Sequence, residues 1–206
     1  VELRLVKIIF KFKIIVLIIS IGLPVRREIR DLQANYPDQW NLFLLGMDAL
    51  QKVDENDPLS YYQIAGIHGL PYKSWDNVDG IPDFPDGSGG YCTHSSILFA
   101  PWHRPYLALM EMSLYNTIQK LVTQFPQAMQ AKYVAAAKDI RLPFWDWASK
   151  SSPTFPTSIS ATQVTVTWTD GTTKAIPNPL YAFSFHPIDP SPSDFDTFWS
   201  QFQSTL

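Results

Sequence analysis

The sequence predicts a mainly α-helical fold with one β-hairpin and long loops. Three observations carry this. Apolar residues recur at helical spacing in several segments between Pro24 and Lys138, a single stretch around Asp170-Gly171 alternates as strands do, and Gly, Pro, Asp and Asn crowd into residues 69–93. The composition fits a folded domain: of 206 residues, 46% are hydrophobic, 14% aromatic and only 17% charged, which excludes a solvating or disordered chain. That length buries a core without covalent help. Cys92 is the single cysteine, so no intrachain disulfide forms. A net charge of -3 gives no general reason to bind nucleic acid.

The charge is uneven. The first 30 residues carry seven basic and two acidic side chains, against nine and seventeen in the rest. Residues 5–22 are rich in Ile and Val, but Lys7, Lys11 and Lys13 interrupt them, and the apolar run from Ile14 to Ile19 is far too short to cross a bilayer. No membrane span is expected. Three readings of this segment stand: a signal peptide without a small-x-small cleavage site, a buried strand, or the imperfect end of a fragmentary gene product. The third is preferred, because the chain reads as ordinary globular sequence from Pro24 onward. Residues 1–24 are therefore set apart from a domain over 25–206.

Val25 to Ala34 suits a short helix, broken at Tyr36-Pro37. Asp38 is the expected N-cap of the next, in which Trp40, Phe43, Leu44, Met47 and Leu50 form an apolar face as far as about Lys52. Asn56-Asp57-Pro58 separates it from a helix over Leu59–His68, which Gly69 is expected to close. The loop of residues 69–93 is long enough to suggest a functional role. From Pro101, well suited to a first helical position, a strong helix runs to about Phe125. Another spans Gln127–Lys138 after Pro126. Strands are expected at Gln163–Trp168 and Thr172–Ile176 around the Asp170-Gly171 turn. Residues 177–206 show no periodicity, and there is no internal repeat.

Three of the four histidines, His68, His94 and His103, lie around the long loop. Imidazole is the commonest neutral metal ligand and suits copper or zinc. His103 falls on the stripe of Tyr106, Leu107, Met110 and Leu114, read as the buried face of its helix. His68 falls on the stripe of Tyr61, Ile64 and Ala65. His94 precedes His103 by nine residues, which in continuous helix would place it about half a turn away at ~100° per residue. Pro101 argues against continuity, so His94 sits in a loop, free to turn toward the others. A lone inward histidine is more often a hydrogen-bonded core residue; two with a third nearby favour a metal. His186 stays with the core reading. Cys92, two residues before His94, is either a ligand or a small buried hydrophobe.

The string from Gly90 through Cys92-Thr93-His94 to Trp102-His103-Arg104-Pro105-Tyr106-Leu107 resembles the first copper site of fungal tyrosinases and polyphenol oxidases, the type 3 copper family. Ile67-His68-Gly69 and Phe144-Trp145-Asp146-Trp147 also look like that family. The resemblance covers about Pro24 to Phe195. It implies a helical-bundle core with a binuclear copper centre, whose first copper His68, His94 and His103 would hold. It further implies a thioether between Cys92 and the ring of His94, and an aromatic, Phe99, packed beside the metal. Arg104 and Asp146 are taken as structural partners of each other, with Asp146 a weaker candidate for a carboxylate backing the copper ligands. The implied chemistry is ortho-hydroxylation of monophenols and oxidation of o-diphenols to o-quinones by O2, as in melanin formation.

The departure from the family pattern is large. Its second copper needs three more histidines, two of them in a His-x-x-x-His helix, and His186 matches none of these positions. The chain therefore looks like the N-terminal half of such an enzyme, expected to hold at most one copper and to be inactive alone. Faces bearing Ile64, Tyr106 and Met110 are expected to be partly exposed without the missing helices, with poor solubility as a result. The alternatives are a non-catalytic fragment binding one copper, an oxygen-carrier-like copper protein, or a zinc hydrolase, for which Glu111 lies too far from His103. No secretion signal and no Asn-x-Ser/Thr site are found, which favours a cytoplasmic or cell-wall-associated location. The oligomeric state is not legible.

Overall fold

Helix α2 (Pro37–Gln51) forms the centre of the molecule because its apolar residues cover more than one face: Leu42, Leu44, Leu45 and Leu50 are all essentially buried. The structure, a computed structural model, describes residues 24–69, 74–80 and 91–184 and the backbone of 204–205. Residues 1–23 and His186 lie outside the described residues. Around α2 pack α1 (Ile29–Asn35), α3 (Tyr61–Gly66), α4 (Phe99–Val122) and α5 (Gln127–Lys138). A single turn, α6 (Thr157–Ser160), precedes the hairpin of β1 (Gln163–Thr167) and β2 (Thr173–Pro177). A second antiparallel pair joins β3 (Phe183–Ser184) to β4 (Ser204–Thr205), where no strand was expected.

The first helix is shorter than its apolar pattern suggests. Glu28 caps α1 by accepting the Arg30 and Asp31 N–H groups at 2.7 and 3.4 Å, while residues 24–28 are not helical. There the backbone bridges Phe144: Ile29 N–H donates to its carbonyl at 2.8 Å, and Phe144 N–H returns to Arg27 at 2.9 Å. Asp38 is not a cap. Pro37 takes the first position of α2, and the Asp38 carboxylate instead accepts from Lys132 Nζ of α5 at 2.8 Å. Ser60 caps α3 by accepting Gln63 N–H at 3.1 Å, so α3 starts later and ends earlier than expected. Gly69 does not adopt the left-handed conformation of a terminal glycine cap.

The core lies where α2 crosses α4. Gly46 lets them approach: a Cβ there would fall 2.5 Å from Ile118 Cγ1 and 2.9 Å from Leu114 Cδ1. Helix α5 closes one side with Tyr133 tilted against Phe125, ring centroids 4.0 Å apart. The hairpin has the register Gln163↔Pro177 through Thr167↔Thr173. Gly171 turns it at φ +84°, and a side chain there would also press on Pro126 and Met129.

Asn41 of α2 fastens the hairpin to the core. Its Nδ2 donates to the Thr167 carbonyl at 2.9 Å, and its Oδ1 accepts the Thr167 N–H at 2.6 Å. Asn41→Ala would leave both backbone groups without that partner in a largely buried place. The expected loss is about 2 kcal/mol, measured by urea unfolding.

Toward its N-terminus α4 rises out of this core. Leu114, Ile118 and Val122 are buried, but Leu107 is 48% exposed and Phe99 49%. The stripe read as uniformly buried is therefore covered only in its C-terminal half. Ile64, by contrast, is fully buried on the inner face of α3, so that face is not laid open. Phe144, Trp147 and Phe155 are also exposed, and Phe155 packs edge-on against Trp145. Among the described residues, no helix is long and apolar enough to cross a membrane.

Candidate metal centre

Three segments bring the site together. His68 follows the last turn of α3, His103 projects from the first turns of α4, and Cys92 and His94 come from the segment leading into α4. Helix α4 begins at Phe99, two residues before Pro101, and includes Pro105. Proline fits in the first turn because those N–H groups have no intrahelical acceptor; at Pro105 a ladder bond is lost. Ser95, directly after His94, has φ +54°, a left-handed conformation that turns the chain away from helix at this point.

His68 Nε2 and His103 Nε2 stand 3.0 Å apart. Cys92 Sγ lies 3.0 Å from His94 Nε2 and 3.3 Å from His103 Nε2. One donor atom from each of the four residues lies within 4.8 Å of the others, and this is the one such group among the described residues. Imidazole nitrogens bind a metal such as zinc at about 2.0–2.1 Å, so the 3.0 Å pair can address one ion. His103 Nδ1 is 2.6 Å from the Phe99 carbonyl oxygen. That oxygen can only accept, which puts the proton on Nδ1 and leaves the Nε2 lone pair free of it in the neutral ring. The donor set therefore fits a single ion that prefers imidazole.

The surroundings favour the neutral forms of His68 and Cys92. Burial lowers the His68 pKa, and the nearby His103 and His94 lower it further. Burial raises the Cys92 thiol, so it is not an activated thiolate. Tyr106 is pushed up to about 12, chiefly by burial, then by Tyr61 and Cys92. His68 favours its neutral form when folded. Its contribution to stability is thus complete above the ordinary value of 6.5 and is lost as pH falls through the lower folded value. The metal-free chain should accordingly lose thermal stability between pH 7.5 and 5, and His68→Gln should flatten that loss.

Phe99 does stand beside the group, its ring centroid 4.2 Å from that of His103 and 5.9 Å from that of His94. Asp146 does not pair with Arg104. Its carboxylate accepts the Ala148 N–H at 3.2 Å within its own turn. Glu111 is equally committed elsewhere, receiving Arg26 at 2.9 and 3.1 Å and the Leu142 N–H at 3.0 Å, so no free carboxylate base is offered there for zinc hydrolysis.

Tyr106 and Trp102 are also neighbours of the metal group, which the spacing of the histidines alone does not reveal. Tyr106 lies nearly parallel to His68 at 5.4 Å, and Trp102 nearly parallel to Tyr106 at 5.4 Å. Trp102 and Tyr106 stand four residues apart on α4, and the packing of α3 on α4 adds His68 to the stack. The i, i+4 spacing of Trp102 and Tyr106 on α4 was its trace in the sequence.

Comparison with known proteins agrees with this architecture. The family model of the common central domain of tyrosinase matches residues 58–205. A tyrosinase of Podospora anserina is 54% identical over 189 residues, covering 89% of this chain and 33% of the relative. A tyrosinase of Neurospora crassa is 53% identical over 194 residues, covering 90% of this chain and 28% of the relative. Among solved structures, mushroom tyrosinase superposes with a TM-score of 0.75 at 32% identity, covering 90% of this chain and 32% of the other. The holo-protyrosinase of Aspergillus oryzae gives 0.77 at 30% identity, covering 89% and 36%. The chain thus spans about a third of the length of these relatives. Over that third the helices that carry the imidazoles lie inside the matched region, and the chain belongs to the tyrosinase family.

Proposed function

We propose that this chain provides the first-metal half of a type 3 copper centre, with His68, His94 and His103 as the copper ligands. The observation that carries this is the convergence of their ring nitrogens from three separate segments. Copper, when bound, supplies the redox chemistry by which such centres use O2. The chain's own residues prepare for it. His68 stays neutral through burial, the Phe99 carbonyl holds the His103 tautomer, and Phe99 lines the group with an apolar face. We further propose the thioether between Cys92 and a ring carbon of His94, which the 3.0 Å approach of the sulfur to that ring supports. Forming it removes the thiol hydrogen and one ring hydrogen, with two electrons passing to an oxidant such as O2. The bond would hold the imidazole in one orientation.

The reaction belongs, in this proposal, to the polypeptide that also carries the second set of ligands: ortho-hydroxylation of monophenols and oxidation of o-diphenols to o-quinones, the chemistry of pigment formation. The exposed faces at Leu107 and Phe99 are where its remaining helices would pack. A cytoplasmic or cell-wall-associated location is proposed with it, for cell fractionation to test. The functional test is a fusion of residues 24–206 to the downstream two thirds of the Podospora relative. The fusion should oxidise 4-methylcatechol, and its His94→Ala variant should not. A fusion that folds and binds copper yet leaves catechol untouched would refute the proposal. So would sustained oxidation by the 206-residue chain alone.

A further inference from the structure

We propose that the Tyr91 hydroxyl is a positioning group for the metal centre, tying the Cys92–His94 segment to the structures that hold the other two histidines. The inference rests on the reading of His68, His94 and His103 as ligands of one metal. It begins at a four-residue turn. Trp75 and Val78 face each other as an antiparallel bridge, with Val78 N–H donating to the Trp75 carbonyl at 3.0 Å. Asp76 and Asn77 between them have φ of 51° and 60°, the left-handed pair of a tight hairpin turn.

The reciprocal rung of such a turn would run from Trp75 N–H to the Val78 carbonyl. Here the Tyr91 hydroxyl stands in that rung. It accepts the Trp75 N–H at 2.6 Å and donates to the Val78 carbonyl. A hydroxyl does both at once, and phenylalanine does neither. Tyr91 immediately precedes Cys92, so this bond pair fixes the start of the Cys92-Thr93-His94 segment.

The turn is in turn anchored. Trp75 Nε1–H donates to the Pro58 carbonyl at 2.8 Å, two residues before the Ser60 cap of α3, the helix that leads to His68. The adjoining Leu59 carbonyl accepts from Ser113 Oγ of α4, the helix of His103, at 3.0 Å. Residues 58–59 are therefore a junction to which all three ligand-bearing segments are tied, and Tyr91 is the link for the His94 arm. Partners outside the ligand set that orient a metal-binding imidazole are typically worth about 10–100-fold in affinity.

The test is Cu(II) affinity of the 206-residue chain by competition titration, with the EPR spectrum of the copper-loaded protein and thermal unfolding of the metal-free protein. Tyr91→Phe, one step further out than a partner bonded to a ligand ring, should bind Cu(II) at most about 10-fold more weakly and give an altered or heterogeneous copper spectrum, with little change in metal-free unfolding. His94→Ala should lose binding. If Tyr91→Phe keeps wild-type affinity and spectrum while His94→Ala loses copper, the proposal fails and the ligand assignment survives. If His94→Ala binds copper normally, the ligand assignment fails and this proposal with it. Should Tyr91→Phe not fold, Trp75→Phe, which removes the indole donor to Pro58 together with part of the ring, should weaken binding severalfold. Unchanged affinity in that variant overturns the proposal.

Discussion

His103→Ala is expected to abolish copper binding while leaving the helical core folded. His103 is the most constrained of the three imidazoles. Its Nε2 stands 3.0 Å from that of His68 and 3.3 Å from Cys92 Sγ, while its Nδ1 is held at the Phe99 carbonyl. Removing it takes away a donor, not merely an orienting contact, so the loss should exceed the roughly 10–100-fold typical of outer partners. The core should tolerate the change, because the buried face of α4 lies further along, at Leu114, Ile118 and Val122. Phe99→Leu supplies the contrast. It removes the ring but keeps the carbonyl that fixes the tautomer, so copper binding should largely survive. Competition titration with Cu(II) measures both variants, and a His103→Ala chain that retains wild-type affinity would contradict the assignment.

Gly46→Val should be the most damaging single change to the scaffold. The new Cβ would lie 2.5 Å from Ile118 Cγ1, and both Leu114 and Ile118 are buried with little freedom to retreat. Replacing a helical glycine gains some propensity, but overpacking typically costs 1–3 kcal/mol, and a β-branched side chain is stiff in a helix. A net loss of about 2–3 kcal/mol is expected in urea unfolding. Because α2 and α4 would be forced apart, a smaller second substitution at Ile118 should recover part of it. Stability within about 0.5 kcal/mol of wild type would show that the crossing is looser than the contact implies.

Where a pattern is local, the sequence was a reliable guide. Gln127–Lys138 is bounded by Pro126 and a run of helix formers, and it appears at those residues. The hairpin around Asp170-Gly171 needed only alternation and a glycine turn, and its strands shift by about one residue. Where two local rules compete, the outcome was not legible. Asp38 has the chemistry of a cap, but Pro37 fits the first helical position and Lys132, far along the chain, takes the carboxylate. The spacing of His68, His94 and His103 predicted that the three could converge, and they do. Periodicity could not say what covers a face, so the stripe of His103 was read as buried although Leu107 is half exposed. The Tyr91 bond to the Trp75–Val78 turn is tertiary, made between residues 16 and 13 apart, and has no periodic signature.

The most direct test of the central claim, that three imidazoles form one metal centre, is copper per chain. The chain would be reconstituted with copper, dialysed free of excess and assayed by elemental analysis beside its His94→Ala variant. The account predicts close to one copper per chain, lost in the variant. A value near zero for the wild type, or one copper retained without His94, would contradict it.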